Sequence, residues 1–128
     1  MLRTTMRMPG SKAQGVADWA TCPLTENGVI RIVSHPKYPN SPGSPAAVAE
    51  LVATLRRLPG HSFWPDDFSL VGSDAIDASK ILTSGQVTDT YLLGLAGARS
   101  GKLASFDRKL SVHAVRGGKA ILHLIPTR

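Results

Sequence analysis

Gln86-Val87-Thr88-Asp89-Thr90-Tyr91-Leu92-Leu93-Gly94-Leu95-Ala96-Gly97-Ala98-Arg99-Ser100-Gly101-Lys102-Leu103-Ala104-Ser105-Phe106-Asp107 sets a helical period directly before a short apolar run that ends in an acid. Val87, Tyr91, Leu92, Leu95 and Ala98 share one face at helical spacing, which predicts a helix over 87–99. Gly101 follows as its C-terminal breaker. Leu103 to Phe106 reads as a short buried strand, and Asp107 sits at its carboxyl end, where it can also cap a turn through Leu110. Gly94 and Gly97 lie inside the helix, where small residues permit close packing.

The same alternation extends on both sides. Ala17 to Thr21 reads as a short strand, and Pro23 suits the first turn of a helix running to about Val33. Pro36, Pro39, Pro42 and Gly43 mark a loop. Ser44 caps the next helix, Pro45 opens it, and Val48, Leu51, Val52, Leu55 and Leu58 line its expected inner face until Pro59-Gly60 stops it. His61 to Trp64 is a strand ended by Pro65, Ser73 caps a short helix through Leu82, and Lys119 to Ile125 is a last strand. Strands alternating with helices indicate an α/β layered fold with a mostly parallel sheet.

A chain of 128 residues and 13.6 kDa supports one domain, with a core large enough to fold. Its 42% hydrophobic content and near-zero mean hydropathy exclude a disordered or fibrous class. No apolar run approaches the ~18 residues of a membrane span, so no membrane partner is expected. The start is basic but lacks the apolar core of a secretory signal, and the single Cys22 excludes a disulfide framework. A reducing cytoplasm is therefore the expected location, with Cys22 a small buried hydrophobe.

Fifteen Lys and Arg against nine Asp and Glu leave a net charge of +6. Arg3, Arg7 and Lys12 make residues 1–12 a basic, poorly ordered segment, separate from a domain over 13–128. Lys102 to Arg128 holds six basic residues against Asp107 alone. Such a surface favours a polyanion such as nucleic acid, although a plain solvated face has the same composition.

The acids are few enough to read singly. Glu26 starts a helix after a strand, Asp89 starts the strongest helix, and Asp107 ends a strand. In open α/β sheets ligands collect at the carboxyl ends of strands, so all three acids aim at that edge. Carboxylates converging without Cys or His suit a hard cation such as Mg²⁺ or Mn²⁺, which activates water and neutralises phosphate charge. Each acid also has a purely structural reading: Asp89 complements the helix dipole and Asp107 caps a turn. Asp66, Asp67, Asp74 and Asp77 read as solvated loop acids. A phosphate-cradling glycine loop is absent, and His35, His61, His113 and His123 have no metal-ligand spacing.

The order of the acids carries a resemblance. Trp19-Ala20-Thr21-Cys22-Pro23-Leu24-Thr25-Glu26-Asn27-Gly28-Val29-Ile30-Arg31 resembles the second motif of PIN-domain proteins of the VapC toxin type. Phe63-Trp64-Pro65-Asp66-Asp67 is similar to that subfamily's middle strand and the loop after it, and Gln86 to Ala96 to its third motif. Leu103 to Asp107 is similar to the fourth, with Ser105 where Thr is usual. The resemblance runs from Ala13 to Ile125. It implies a three-layer PIN fold with helices flanking the sheet, and a metal-dependent endoribonuclease acting as the toxin of a toxin–antitoxin pair. By position, Glu26, Asp89 and Asp107 become metal-site carboxylates and Ser105 a supporting hydroxyl. Arg31 becomes a residue that orients phosphate or Glu26, or a plain surface arginine. RNA and a small antitoxin are the implied partners, and there is room for a homodimer.

One element departs from the pattern. Family members begin with an apolar central strand ending in Asp-x-Asn, whereas the first acid here is Asp18 and no such strand precedes it. The expectation is a lost or misassigned N-terminus, and a sheet that is marginal unless residues 1–12 or a partner fill the gap. A second function class follows: a catalytically inactive remnant that keeps an antitoxin- or RNA-binding surface.

Overall fold

The computed structural model describes residues 4–7 and 18–126. The rest of the basic N-terminal segment, and Ala17, lie outside the described residues. The chain divides near Asp66 into two compact units, each an α/β arrangement, and Thr4–Arg7 belongs with the second.

β1 is Thr4–Arg7, and the first unit is β2 (Trp19–Thr21), α1 (Pro23–Val33), α2 (Pro45–Arg56) and β3 (His61–Phe63). β2 and β3 are parallel, in the register Trp19 with His61 and Thr21 with Phe63. Proline at the first helical position starts both helices, where its missing N–H costs nothing. At α1, Cys22 N–H donates to Thr25 Oγ1 at 2.9 Å, and the Thr25 hydroxyl donates back to Cys22 O at 2.9 Å. Leu24 N–H donates to Asp66 Oδ2 at 2.8 Å, so Asp66 caps α1 instead of standing free in solvent as expected. Cys22 is fully buried, as expected, and burial is the main cause that pushes its thiol pKa up.

The inner face of α2 is narrower than its apolar stripe. Val48 and Val52 are buried, whereas Leu51, Leu55 and Leu58 remain about half exposed. Residues 48 and 52 lie on one line along the helix and 51 and 55 on a second line beside it, while Leu58 falls beyond the helix end at Arg56. Only the first line is covered.

The second unit is built on β4 (Lys102–Ser105). β5 (Leu122–Leu124) runs parallel along one edge, with Leu103 opposite Leu122 and Ser105 opposite Leu124. β1 runs antiparallel along the other, with Thr4 opposite Ser105 and Arg7 opposite Lys102. The expectation of no element in residues 1–12 is corrected at these four residues, because a buried strand needs hydrogen-bond partners on both edges. α3 (Val87–Ala98) packs on β4 and on the single turn α4 (Gly118–Ile121). Leu92, Leu93, Leu95 and Ala96 are all fully buried, so α3 is apolar on most sides instead of along one face.

Three further expectations change. The helix from Ser73 to Leu82 is only a 3₁₀ turn at Ala78–Lys80, capped by Asp77. Ile76 instead bridges Val115, with Asp77 N–H donating to Ala114 O at 2.8 Å and Arg116 N–H to Ala75 O at 2.7 Å, so the backbone groups pair across space. The last strand begins at Leu122, because Gly118–Ile121 turns as α4. The left-handed residue ending α3 is Ser100, at φ 56°, with Gly101 N–H donating to Ala96 O at 2.7 Å. Asp67 also has a partner, Arg99, at 2.7 Å.

Two glycines of this unit separate by what a methyl group would meet. At Gly118 it would lie 2.5 Å from the backbone oxygen of Val112 and 3.2 Å from Leu93 Cδ2. At Gly97 the nearest atom, at 2.6 Å, is Cδ1 at the end of the Ile121 side chain. Gly118→Ala is expected to destabilise by about 1–3 kcal/mol, because backbone cannot yield. Gly97→Ala is expected to lie within about 1 kcal/mol of neutral, since Ile121 can rotate and alanine favours the helix. Urea denaturation of both variants checks the contrast. Ser44 Oγ accepts from Ala47 N–H at 3.1 Å, and Ser44→Ala is expected to cost about 1 kcal/mol in the same measurement.

Candidate active site

Each unit holds part of the acid set at strand ends and helix starts. In the first, Glu26 lies in the first turn of α1, five residues after Thr21 at the end of β2. The Thr21 hydroxyl donates to Glu26 Oε2 at 2.6 Å, a charge-assisted contact. Because that proton goes to Glu26, Thr21 Oγ1 accepts from His61 Nε2, 2.8 Å away, and His61 carries its proton on Nε2. Arg56, in the last turn of α2, places Nη1 3.5 Å from Glu26 Oε1. Trp19 meets His61 edge-on with ring centroids 4.6 Å apart. Burial first, and then the Arg56 charge, hold the His61 pKa below its ordinary value, against an opposing pull from Glu26.

Sequence reading alone did not find Thr21, His61 or Arg56. Thr21 carries a faint signal, a hydroxyl ending a strand just before an acid. His61 reaches the site only through the parallel register of β2 with β3, and Arg56 only through the packing of α1 against α2.

In the second unit, Asp89 occupies the first turn of α3 and Asp107 follows β4. Ser105 is fully buried, and its Oγ accepts from Asp107 N–H at 2.9 Å, which shapes the corner at the strand end. Asp107 Oδ1 accepts from Lys109 N–H at 2.9 Å, so the expected capping role is present. Burial is the main cause that raises the Asp89 pKa, and the negative charge of Asp107 raises it further. The two carboxylates are thus close enough to repel. Among the described residues, no group of three or more His, Cys, Asp or Glu is gathered so as to hold a metal ion. The pair of acids in the second unit and the hydrogen-bonded Glu26 in the first are the arrangements present. Oxygen-only donors fit a hard divalent cation, and the repulsion within the pair is what such a cation relieves.

Comparison with known proteins gives a consistent set of relatives. The chain is 41% identical over 99 residues to Ribonuclease VapC44 of Mycobacterium tuberculosis, covering 77% of this chain and 69% of that protein. It is 37% identical over 99 residues to Ribonuclease VapC39 of the same organism, covering 77% of this chain and 71% of the relative. Ribonuclease VapC38, also from Mycobacterium tuberculosis, is 37% identical over 113 residues, covering 88% of this chain and 78% of its own length. No family model and no solved structure matches the chain.

The raised Asp89 pKa has a signed consequence. The folded state binds its proton more readily than the unfolded state, so stability falls as pH rises from the ordinary 3.8 through the folded value. At pH 7 the ionised Asp89 costs stability, and below 3.8 it costs none because both states are protonated. Asp89→Asn is therefore expected to melt higher than the parent at pH 7, with the gap closing on acidification. Thermal melts at several pH values, metal chelated throughout, measure it; an unchanged or lower Tm at pH 7 contradicts it.

Proposed function

Because the chain belongs to the VapC ribonuclease family, the PIN-domain toxins, we propose that it cleaves RNA phosphodiester bonds as the toxin of a toxin–antitoxin pair, aided by Mg²⁺ or Mn²⁺. The observation that carries the metal dependence is the mutually repelling pair Asp89 and Asp107 at the start of α3 and the end of β4. In this reading Asp89 and Asp107 hold the cation, and Glu26 is the further carboxylate that the family's motif order assigns to the chemistry. When bound, a divalent ion activates water and neutralises charge on the phosphate. Ser105 holds the backbone of Asp107 so that its carboxylate projects from a fixed corner. Thr21 fixes one oxygen of Glu26 and thereby its rotamer.

The basic residues from Lys102 to Arg128 support a phosphate-bearing substrate, drawn in without regard to sequence. A small antitoxin is the protein partner implied by the family, and a homodimer is compatible with it. Among the described residues no helix is long and apolar enough to cross a membrane.

A second reading has one observation in its favour. The strand beside β4, Thr4-Thr5-Met6-Arg7, contains no acid, where the family's apolar first strand ends in Asp-x-Asn. In that reading the chain is catalytically inactive and retains an RNA- or antitoxin-binding surface.

Metal titration separates the two. The enzyme reading expects Mn²⁺ binding by calorimetry that Asp89→Asn abolishes, together with a loss of RNA cleavage of about 100-fold or more. Absent Mn²⁺ binding and absent cleavage in the parent, with RNA binding intact, select the inactive reading. RNA affinity is expected to fall with rising salt, at about 0.7 log units per log unit of salt for each phosphate contacted.

A further inference from the structure

Beside Glu26 the first unit carries a cation resting on an aromatic ring. The guanidinium carbon of Arg56 lies 4.6 Å from the centroid of Phe63. The Arg56 side chain is 43% exposed and Phe63 is 41% exposed, whereas the Glu26 side chain is only 13% exposed. The 3.5 Å contact between Arg56 and Glu26 is longer than the ~2.7–2.9 Å of a charge-assisted hydrogen bond. At that distance, and with the guanidinium half exposed, the ion pair contributes little. Glu26 does not depend on it, because Thr21 holds the other oxygen at 2.6 Å.

A half-exposed guanidinium beside a partly exposed aromatic ring offers one nucleotide a phosphate donor and a stacking surface. The planar fork of arginine matches phosphate oxygens, and any base can stack on a ring. We propose that Arg56 and Phe63 form a nucleotide subsite for single-stranded RNA beside Glu26, the guanidinium taking a backbone phosphate and the ring taking a base. The exchange of Glu26 for phosphate at Arg56 frees Oε1 while Thr21 keeps Oε2 in place. The role given to Glu26 here rests on the ribonuclease reading above. The contacts made by Arg56 and Phe63 are measured without metal and without cleavage.

The probe is a fluorescein-labelled ten-nucleotide oligouridylate, bound to the full chain in EDTA at low salt and followed by anisotropy. Arg56→Ala is expected to weaken binding about tenfold and to flatten the salt dependence by about 0.7, the loss of one phosphate contact. Phe63→Leu, which keeps apolar bulk, is expected to weaken binding several-fold with the salt dependence unchanged. Arg57→Ala removes the same charge one residue away and is expected to cost less than about threefold. Glu26→Gln releases Arg56 and is expected to bind RNA at least as tightly while losing cleavage. Equal losses for Arg56→Ala and Arg57→Ala, or no binding by the parent chain, overturn the subsite. If Arg56→Ala does not fold, Arg56→Lys keeps the charge and loses the fork, and unchanged binding by that variant overturns it too. A parent chain that neither cleaves RNA nor binds Mn²⁺, with the Arg56 and Phe63 losses intact, removes the ribonuclease reading and leaves the subsite standing.

Discussion

The constraint on which the second unit depends is that buried backbone must be hydrogen-bonded on both edges. Leu103, Ala104 and Ser105 of β4 are buried, so their N–H and C=O groups have no water to turn to. β5 answers one edge in parallel and Thr4–Arg7 answers the other in antiparallel fashion. An apolar doubly buried strand is what an α/β fold ordinarily places beside such a neighbour. Here the pairing is made by Thr4-Thr5-Met6-Arg7, in which Met6 alone is apolar. Backbone pairing is nearly indifferent to side-chain type, and that indifference lets a basic segment complete the three strands. α3 then covers β4 with a surface that is apolar on most sides, and α4 fits against α3 because Gly97 and Gly118 allow close approach.

The candidate site sets stability against chemistry. Asp89 is partly withdrawn from water and faces the charge of Asp107, and both effects disfavour its ionised form. A domain selected for stability alone would place a neutral residue there. Glu26 shows the opposite solution. Its carboxylate is held by a hydroxyl at 2.6 Å and balanced by a guanidinium at 3.5 Å, so its charge is satisfied within the first unit. One arrangement stores repulsion that a cation can relieve, and the other presents a fixed oxygen beside a half-exposed guanidinium.

Local features were legible in the residues. Pro23 and Pro45 open the two helices they were read to open, and Ser44 caps the second, because these effects depend only on neighbouring backbone groups. The strand before Asp107 and the cap made by Asp107 followed for the same reason. Misreadings fell where distant segments compete for the same backbone or surface. Ser73 to Leu82 has helix-compatible spacing, yet Ile76 bridges Val115, thirty-nine positions along the chain. Leu51, Leu55 and Leu58 match the helical period, yet the contact covers only the line of Val48 and Val52. Asp66 looks like a loop acid and is a cap for a helix that begins forty-three positions earlier.

Periodicity and capping are written in neighbouring residues and carry the α/β class and the helix starts, and motif order singles out Glu26, Asp89, Asp107 and Ser105 as candidates. Tertiary structure decided the surroundings of those acids. The parallel register of β2 and β3 brings His61 to Thr21 and, through it, to Glu26. Packing of α2 beside α1 brings Arg56 to the same carboxylate, and the joining of α3 to β4 sets Asp89 within reach of the charge on Asp107. The physical reason is one of range. A cap or a helical period acts over three or four residues of contiguous chain, whereas the partner of a charge is whatever residue the completed fold brings within a few ångströms of it.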